Sequence, residues 1–223
     1  MPRRLLVATL VAAGIGGVTT AVLQASSAHS FRLTRLVTTD KGLVNAWGLT
    51  SLPTSPWWVA DNGTDVSTLY RADGSKPPLT VSVPNAPTGA VSNTGSNFVV
   101  TDGVKSAAAL FIFATEEGQI LGWNPNVAPT TAEVAVPNKT GAIYKGLAIG
   151  STANGDRLYA TDFHNGRVDV FDGSFANVTA PGSFTDPYIP SGYAPFGIQN
   201  VGGKLGVTYA KQDALDLDDV AGF

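Results

Sequence analysis

The stretch Leu158-Tyr159-Ala160-Thr161-Asp162-Phe163-His164-Asn165-Gly166, running on through Val168 and Val170 to Phe171-Asp172, carries the reading of the fold. Apolar side chains alternate on both sides of an Asn-Gly turn, where the glycine supplies the positive φ of a tight hairpin. The same order of features recurs twice upstream. Val59-Ala60-Asp61-Asn62-Gly63 leads to Leu69-Tyr70 and Asp73-Gly74, and Phe113-Ala114-Thr115-Glu116-Glu117-Gly118 leads through Ile120 to Trp123-Asn124. Each copy follows a second motif, a turn and then glycine with aliphatics: Asn45-Ala46-Trp47-Gly48-Leu49, Ala86-Pro87-Thr88-Gly89-Ala90-Val91, Tyr144-Lys145-Gly146-Leu147-Ala148 and Ala194-Pro195-Phe196-Gly197-Ile198. These glycines lie 41 (48 to 89), 57 (89 to 146) and 51 (146 to 197) residues apart.

Beyond residue 30 the apolar runs are four to six residues long and bounded by Gly, Pro, Asn and Asp, with no helical periodicity, so the fold class is all-β. A β-sandwich also spaces its turns regularly, but a self-similar unit of this length is what a β-propeller blade requires, since blades bury their faces against one another around a central channel. Gly48, Gly89, Gly146 and Gly197 are then expected on the inner strands, where backbones crowd the axis. The fourth unit offers a first strand around Ile198 and a second over Lys204 to Tyr209, which makes about three and a half blades. The expectation is a propeller domain over 29–223, incomplete at its C-terminal side and drawn from a six-bladed ring. Closure by Phe31 to Thr38 pairing with the last blade, or association of two chains, are the alternatives.

Leu158-Tyr159-Ala160-Thr161-Asp162 with Asn165-Gly166-Arg167-Val168 and Phe171-Asp172 resembles an NHL-type repeat. Together with Trp57 to Gly63, Phe111 to Glu116, Gly122-Trp123-Asn124-Pro125 and Gly192 to Gln199, the chain is similar to an uncharacterised bacterial family of exported propeller proteins, some of which carry a PEP-CTERM sorting tail. The resemblance implies a propeller of NHL-like or lactonase-like blades and export, and it brings no activity with it. Members of that family run on for further blades.

The first residues read as a leader. Arg3 and Arg4 precede a charge-free apolar run from Leu5 to Leu23, and Ser26-Ser27-Ala28 places small residues where a signal peptidase cuts. A signal peptide over 1–28 predicts a secreted, periplasmic or extracellular protein with no membrane span after cleavage. A retained anchor is the alternative, disfavoured by the Gly, Ala and Thr content and the small-residue exit. The paired arginines raise twin-arginine export without completing its motif. The chain has 223 residues, a formal charge of −3, no cysteine, and only 14% charged residues. Disulfides, thiol nucleophiles and Cys-ligated metals are thereby excluded, and the lack of a basic cluster argues against nucleic acid.

Chemistry-bearing residues are few. No Gly-x-Ser-x-Gly elbow occurs, and Gly202-Gly203-Lys204-Leu205 lacks the metal-binding hydroxyl of a phosphate loop, so it reads as a β-turn. His164 is the one histidine beyond His29. It is either a turn residue beside Phe163, the favoured reading, or a catalytic base. The remaining candidates are Asp61, Asn62, Asp102, Glu116 with Glu117, Asp162 and Asn165, all at strand ends. Converging on one channel mouth, their oxygens would suit a divalent cation such as Ca2+. The resemblance to lactonase-type and lyase-type propellers implies such a channel ion. Turn capping by each residue explains the same pattern without metal and is preferred. Asp213, Asp216, Asp218 and Asp219 lack the spacing of a calcium loop and read as a solvated segment. Trp57 and Trp58, adjacent on a strand, must face opposite sides, one into the core. The sequence therefore favours an extracellular binding or scaffold propeller with an unidentified ligand or protein partner, with a metal-dependent hydrolase or lyase as the alternative.

Overall fold

A computed structural model describes residues 33–37 and 42–221. The leader, the cleavage site, His29 and the Phe31 to Thr38 closure lie wholly or partly outside the described residues. Among those residues every regular element is a strand, apart from one short 3-10 turn over Asn62–Thr64.

Blade 1 is a four-stranded antiparallel meander of β1 (Ala46–Thr50), β2 (Trp57–Asp61), β3 (Val66–Tyr70) and β4 (Thr80–Ser82). Blade 2 starts with β5 (Pro87–Ser92), then inserts a separate hairpin of β6 (Val99–Thr101) and β7 (Ser106–Ala108). It continues with β8 (Phe111–Thr115), β9 (Ile120–Trp123) and β10 (Glu133–Val136). Blade 3 has β11 (Tyr144–Thr152), β12 (Gly155–Asp162) and β13 (Arg167–Asp172), with its fourth strand reduced to a bridge between Phe171 and Asn177. Blade 4 consists of β14 (Tyr193–Val201) and β15 (Lys204–Lys211), joined by a turn in which Gly202 and Gly203 have φ of 60° and 82°. The propeller and its two-stranded fourth blade match the sequence reading; the inserted hairpin is new.

The recurring glycines lie on the first strand of each blade, and the geometry explains them. A Cβ on Gly48 would stand 2.5 Å from the Ala90 nitrogen, and one on Gly89 would stand 2.3 Å from the Leu147 nitrogen. On Gly146 it would meet the Phe196 carbonyl at 2.9 Å. Inner strands of successive blades thus touch backbone to backbone, which only glycine permits. Gly197 differs, since the closest atom to its Cβ would be Thr208 Oγ1 of its own hairpin, at 2.9 Å.

Between the blades the pleat sorts side chains by parity. In β8, Phe111 and Phe113 enter a core shared with blade 1, where Trp58 stacks on Phe111 at 4.1 Å and lies 4.7 Å from Trp123. Ile112 and Ala114 point the other way, into a core with Tyr144, Leu147, Leu158 and Phe171 of blade 3. Trp58 is buried and Trp57 is exposed, as adjacent strand positions require.

Two turns depart from expectation. Gly118 and Gly166 do take positive φ, but in blade 1 the left-handed residue is Asp65, with φ of 56°, because a 3-10 turn lengthens the connection beyond Gly63. Asp102 ends no blade strand; it caps the tip of the inserted hairpin.

Candidate functional site

Each inner strand carries one extra residue against its partner. The register slips between Ala46 and Leu49, between Pro87 and Ala90, between Tyr144 and Gly146, and between Pro195 and Ile198. A β-bulge of this kind bends the strand and re-aims a side chain. The residue just before each glycine sits in the bulge: Trp47, Thr88, Lys145 and Phe196. All four line one open channel of about 490 Å³ between β1, β5, β11 and β14. The rings of Trp47 and Phe196 lie 5.6 Å apart across its mouth. Thr88 is turned into the wall, donating to the Tyr144 carbonyl at 2.7 Å and tying blade 2 to blade 3.

A second set comes from the hairpins. Opposite Ala46, Pro87 and Tyr144 stand Asp61, Thr115 and Asp162, all fully buried. The next residue along, Asn62, Glu116 or Phe163, reaches toward the neighbouring blade. Asn62 donates to Glu116 at 3.0 Å and accepts from Asn45 at 2.9 Å. Glu116 accepts from the Lys145 ammonium at 2.5 Å, and Phe163 meets Phe196 edge-on at 5.6 Å.

Lys145 is the hub of this arrangement. Its side chain is 1% exposed and pairs with Glu116 and, at 3.0 Å, with Asp218. The ammonium also stands 5.4 Å over the Trp47 ring and 5.8 Å over that of Phe163, within cation–π range. Burial pushes the ammonium toward deprotonation, and the bonds to Glu116 and Asp218 more than reverse this, holding it above its ordinary value and charged. Burial likewise pushes the Asp218 carboxyl up, but the bond from Lys145 and the other bonds it accepts leave it below the usual carboxylate range. The acidic segment is therefore not merely solvated: Asp218 completes the mouth. Asp213 organises the segment by accepting from the Leu215 and Leu217 amides, and His164 Nδ1 lies 3.1 Å from the Asp216 carbonyl.

The sequence-predicted residues separate accordingly. Asn62 and Glu116 meet at the mouth. Asp61 is held inside blade 1, accepting from Thr68 Oγ1 at 2.5 Å. Asp162 caps its own turn, accepting from the Asn165 amide and, at 2.7 Å, from the Asn165 side chain, with Arg167 at 3.4 Å. Burial holds its carboxyl above the ordinary value despite these bonds. Asp102 is exposed, and the amides of Lys105 and Val104 hold it below the usual range. The four carboxylates have separate partners, Asp61 on β3, Asp102 and Asp162 each in its own turn and Glu116 on Lys145, and among the described residues no three His, Asp or Glu side chains gather as a metal would need. Trp47, Lys145 and Phe196 were missed because their types differ. Their signal was positional: the one variable place beside a repeating glycine.

No protein-family profile matches the chain. It is 32% identical over 197 residues to an uncharacterised protein of Acanthamoeba polyphaga mimivirus, covering 82% of this chain and 48% of the relative. A second uncharacterised protein of the same virus is 33% identical over 187 residues, covering 78% and 48%. The chain spans about half the length of these curated relatives, which are viral, whereas the resemblance in the sequence pointed to bacteria. Among solved structures, a chain of a nidogen/laminin complex superposes with a TM-score of 0.51 at 13% identity, over 78% of this chain and 61% of that one. Virginiamycin B lyase from Staphylococcus aureus gives a TM-score of 0.48 at 15% identity, over 81% and 59%. The first likeness supports the propeller fold and nothing finer.

Proposed function

We propose that this chain is an exported binding propeller whose ligand enters the mouth formed by Trp47, Lys145 and Phe196. One observation carries the reading: bulges on four inner strands bring one residue per blade to the same channel, and although Thr88 turns into the wall, the side chains of the other three meet there. A side chain presented by backbone irregularity at every blade is a recognition surface held by a rigid frame. The carboxylates a hydrolase or lyase would use are engaged elsewhere: Asp102 and Asp162 hold turns, Asp61 accepts from Thr68 inside blade 1, and Glu116 is neutralised by Lys145. Among the described residues no helix is long and apolar enough to cross a membrane. Export rests on residues 1–28 of the sequence.

Expression of the full chain in a bacterial host tests both parts. Export predicts a secreted product beginning at His29. Binding predicts that, across a panel of sugars, peptides and small organic acids, ligands shift the NMR signals of the Trp47 indole and the Leu147 and Ile198 methyls before those of Trp58 or Leu121. Intact retention of the leader would refute the first part, and a panel that leaves the channel signals still would refute the second.

A further inference from the structure

Lys145 stands where two hollows meet. On one side is the channel; on the other is a cavity of about 460 Å³ lined by Glu116, Asn138, Ile143, Leu217 and Asp218 together with Lys145 itself. The two carboxylates on the ammonium are unlike one another. Glu116 belongs to the wall, 30% exposed at its side chain and fixed in addition by Asn62. Asp218 hangs from the segment after β15, with its side chain 67% exposed. A buried ammonium is thus satisfied on one side by the frame and on the other by a loop carboxylate standing mostly in water.

A lysine has three donors, and burying it without acceptors is costly, so with Glu116 on one side the donor bonded to Asp218 favours another acceptor, an anion above all, should that carboxylate be displaced. Over the ammonium itself lie the Trp47 and Phe163 rings, and the channel that Trp47 lines carries Phe196 and the aliphatic wall of Leu147 and Ile198. The chemistry on offer is one carboxylate with an apolar or ring-shaped body attached.

We propose that Asp218 is an internal stand-in for a ligand carboxylate, and that a small organic acid displaces it, placing its carboxylate on Lys145 Nζ and its apolar body in the channel. This rests on the reading of the mouth as a ligand site and adds to it the class of ligand and the residue that guards entry. A tethered competitor acts at an effective concentration on the order of millimolar, so its removal strengthens ligand binding without adding a contact.

The test uses the full chain and two probes of nearly the same shape, phenylacetate and its neutral counterpart phenylacetamide, titrated by calorimetry. Asp218→Ala is expected to bind phenylacetate about tenfold more tightly than the unaltered chain, a change of about 1.4 kcal/mol. Glu117→Gln, which removes an exposed charge lining the same cavity, is expected to leave that affinity within about twofold. Lys145→Gln is expected to abolish binding of the acid; because it also unpairs Glu116, Asp218→Ala is the deciding variant. Equal phenylacetate affinity with and without Asp218, or a folded Asp218→Ala protein that ignores the acid, overturns the proposal. Phenylacetamide binding Asp218→Ala as tightly as phenylacetate overturns the anion while leaving a channel ligand standing. Silence of the channel toward both probes and the wider panel removes the binding reading as well.

Discussion

Substituting alanine at the four recurring glycines gives a graded stability series. A Cβ on Gly89 would lie 2.3 Å from the Leu147 nitrogen and 2.5 Å from the Leu147 Cβ, roughly 1 Å inside van der Waals contact with backbone that cannot rotate away. Overpacking of this kind costs about 3 kcal/mol, at the upper end of its usual range, since two inner strands must part. Gly48→Ala, with 2.5 Å to the Ala90 nitrogen and the Thr88 carbonyl, belongs in the same class. Gly146→Ala, with closest approaches of 2.9 to 3.1 Å, should cost less, about 1 to 2 kcal/mol. At Gly197 the sole close atom among the described residues is the Thr208 hydroxyl at 2.9 Å, a side chain that can turn. Its displacement costs about 1 kcal/mol, offset by about 0.4 to 1 kcal/mol from the stiffer unfolded chain, so Gly197→Ala should be nearly silent. For a domain of this size each kcal/mol moves the melting point by about 2 to 4 °C, so Gly89→Ala should melt about 6 to 12 °C lower and Gly197→Ala within about 2 °C of the parent. Urea unfolding checks the order independently. Equal losses at Gly89 and Gly197, or a larger loss at Gly197, would show that inner-strand crowding is not why glycine recurs.

Tyr144 donates to the buried Asp169 at 2.9 Å, and burial, followed by the Asp169 charge, holds its phenol far above its ordinary range. A folded value above the unfolded one means stability that is present below about pH 10 and lost as pH rises past it. Tyr144→Phe should therefore cost about 1 to 3 kcal/mol at neutral pH yet flatten the decline in melting point above pH 10; an unchanged alkaline slope would count against the assignment. Asp61→Ala removes the shorter bond of the buried Thr68 hydroxyl, leaving it the 3.4 Å contact to the Tyr70 hydroxyl, and should cost about 1 to 3 kcal/mol by urea titration, whereas Asp102→Ala should leave the melt unmoved and quicken hydrogen exchange at Val104 and Lys105. EDTA should not shift the melting point, while a resident ion at a hundred times its Kd would add about 2.7 kcal/mol; loss of several degrees with chelator would revive the metal-dependent alternative.

The frame was readable because it is specified by residue type. Crowded inner backbones admit glycine, the two faces of β8 demand apolar residues at both parities, and tight turns demand Asn, Asp or Gly, so each demand leaves a mark at a fixed place in the repeat. The hairpin over Val99–Ala108 left little trace. Its strands are three residues each, and its second is Ser106-Ala107-Ala108, with no alternation to see. The mouth was hidden for a different reason. Asp61 and Asp162 drew notice as acids at equivalent strand ends, but equivalence there means facing the bulge of the inner strand and being buried against it. The position that reaches the neighbouring blade is one residue further on, where the repeat holds Asn62, Glu116 and Phe163 and therefore shows no common chemistry.

That variability follows from how the blades are built. A bulge beside a glycine separates two tasks that a regular strand would force on one side chain. In the first three blades the glycine accepts the neighbouring backbone, and the residue before it is taken out of the regular pleat, toward the channel at Trp47, into the wall at Thr88 and onto Glu116 and Asp218 at Lys145. Because the two tasks are separate, the aimed residue is free to be an indole, a hydroxyl, an ammonium or a phenyl ring without disturbing the contact beside it. Lys145 shows the limit of that freedom, since a buried charge at this position obliges other elements to answer it. Glu116 does so from blade 2 and Asp218 from beyond blade 4, so the one ionised bulge residue is also the point at which distant parts of the chain are tied to the mouth.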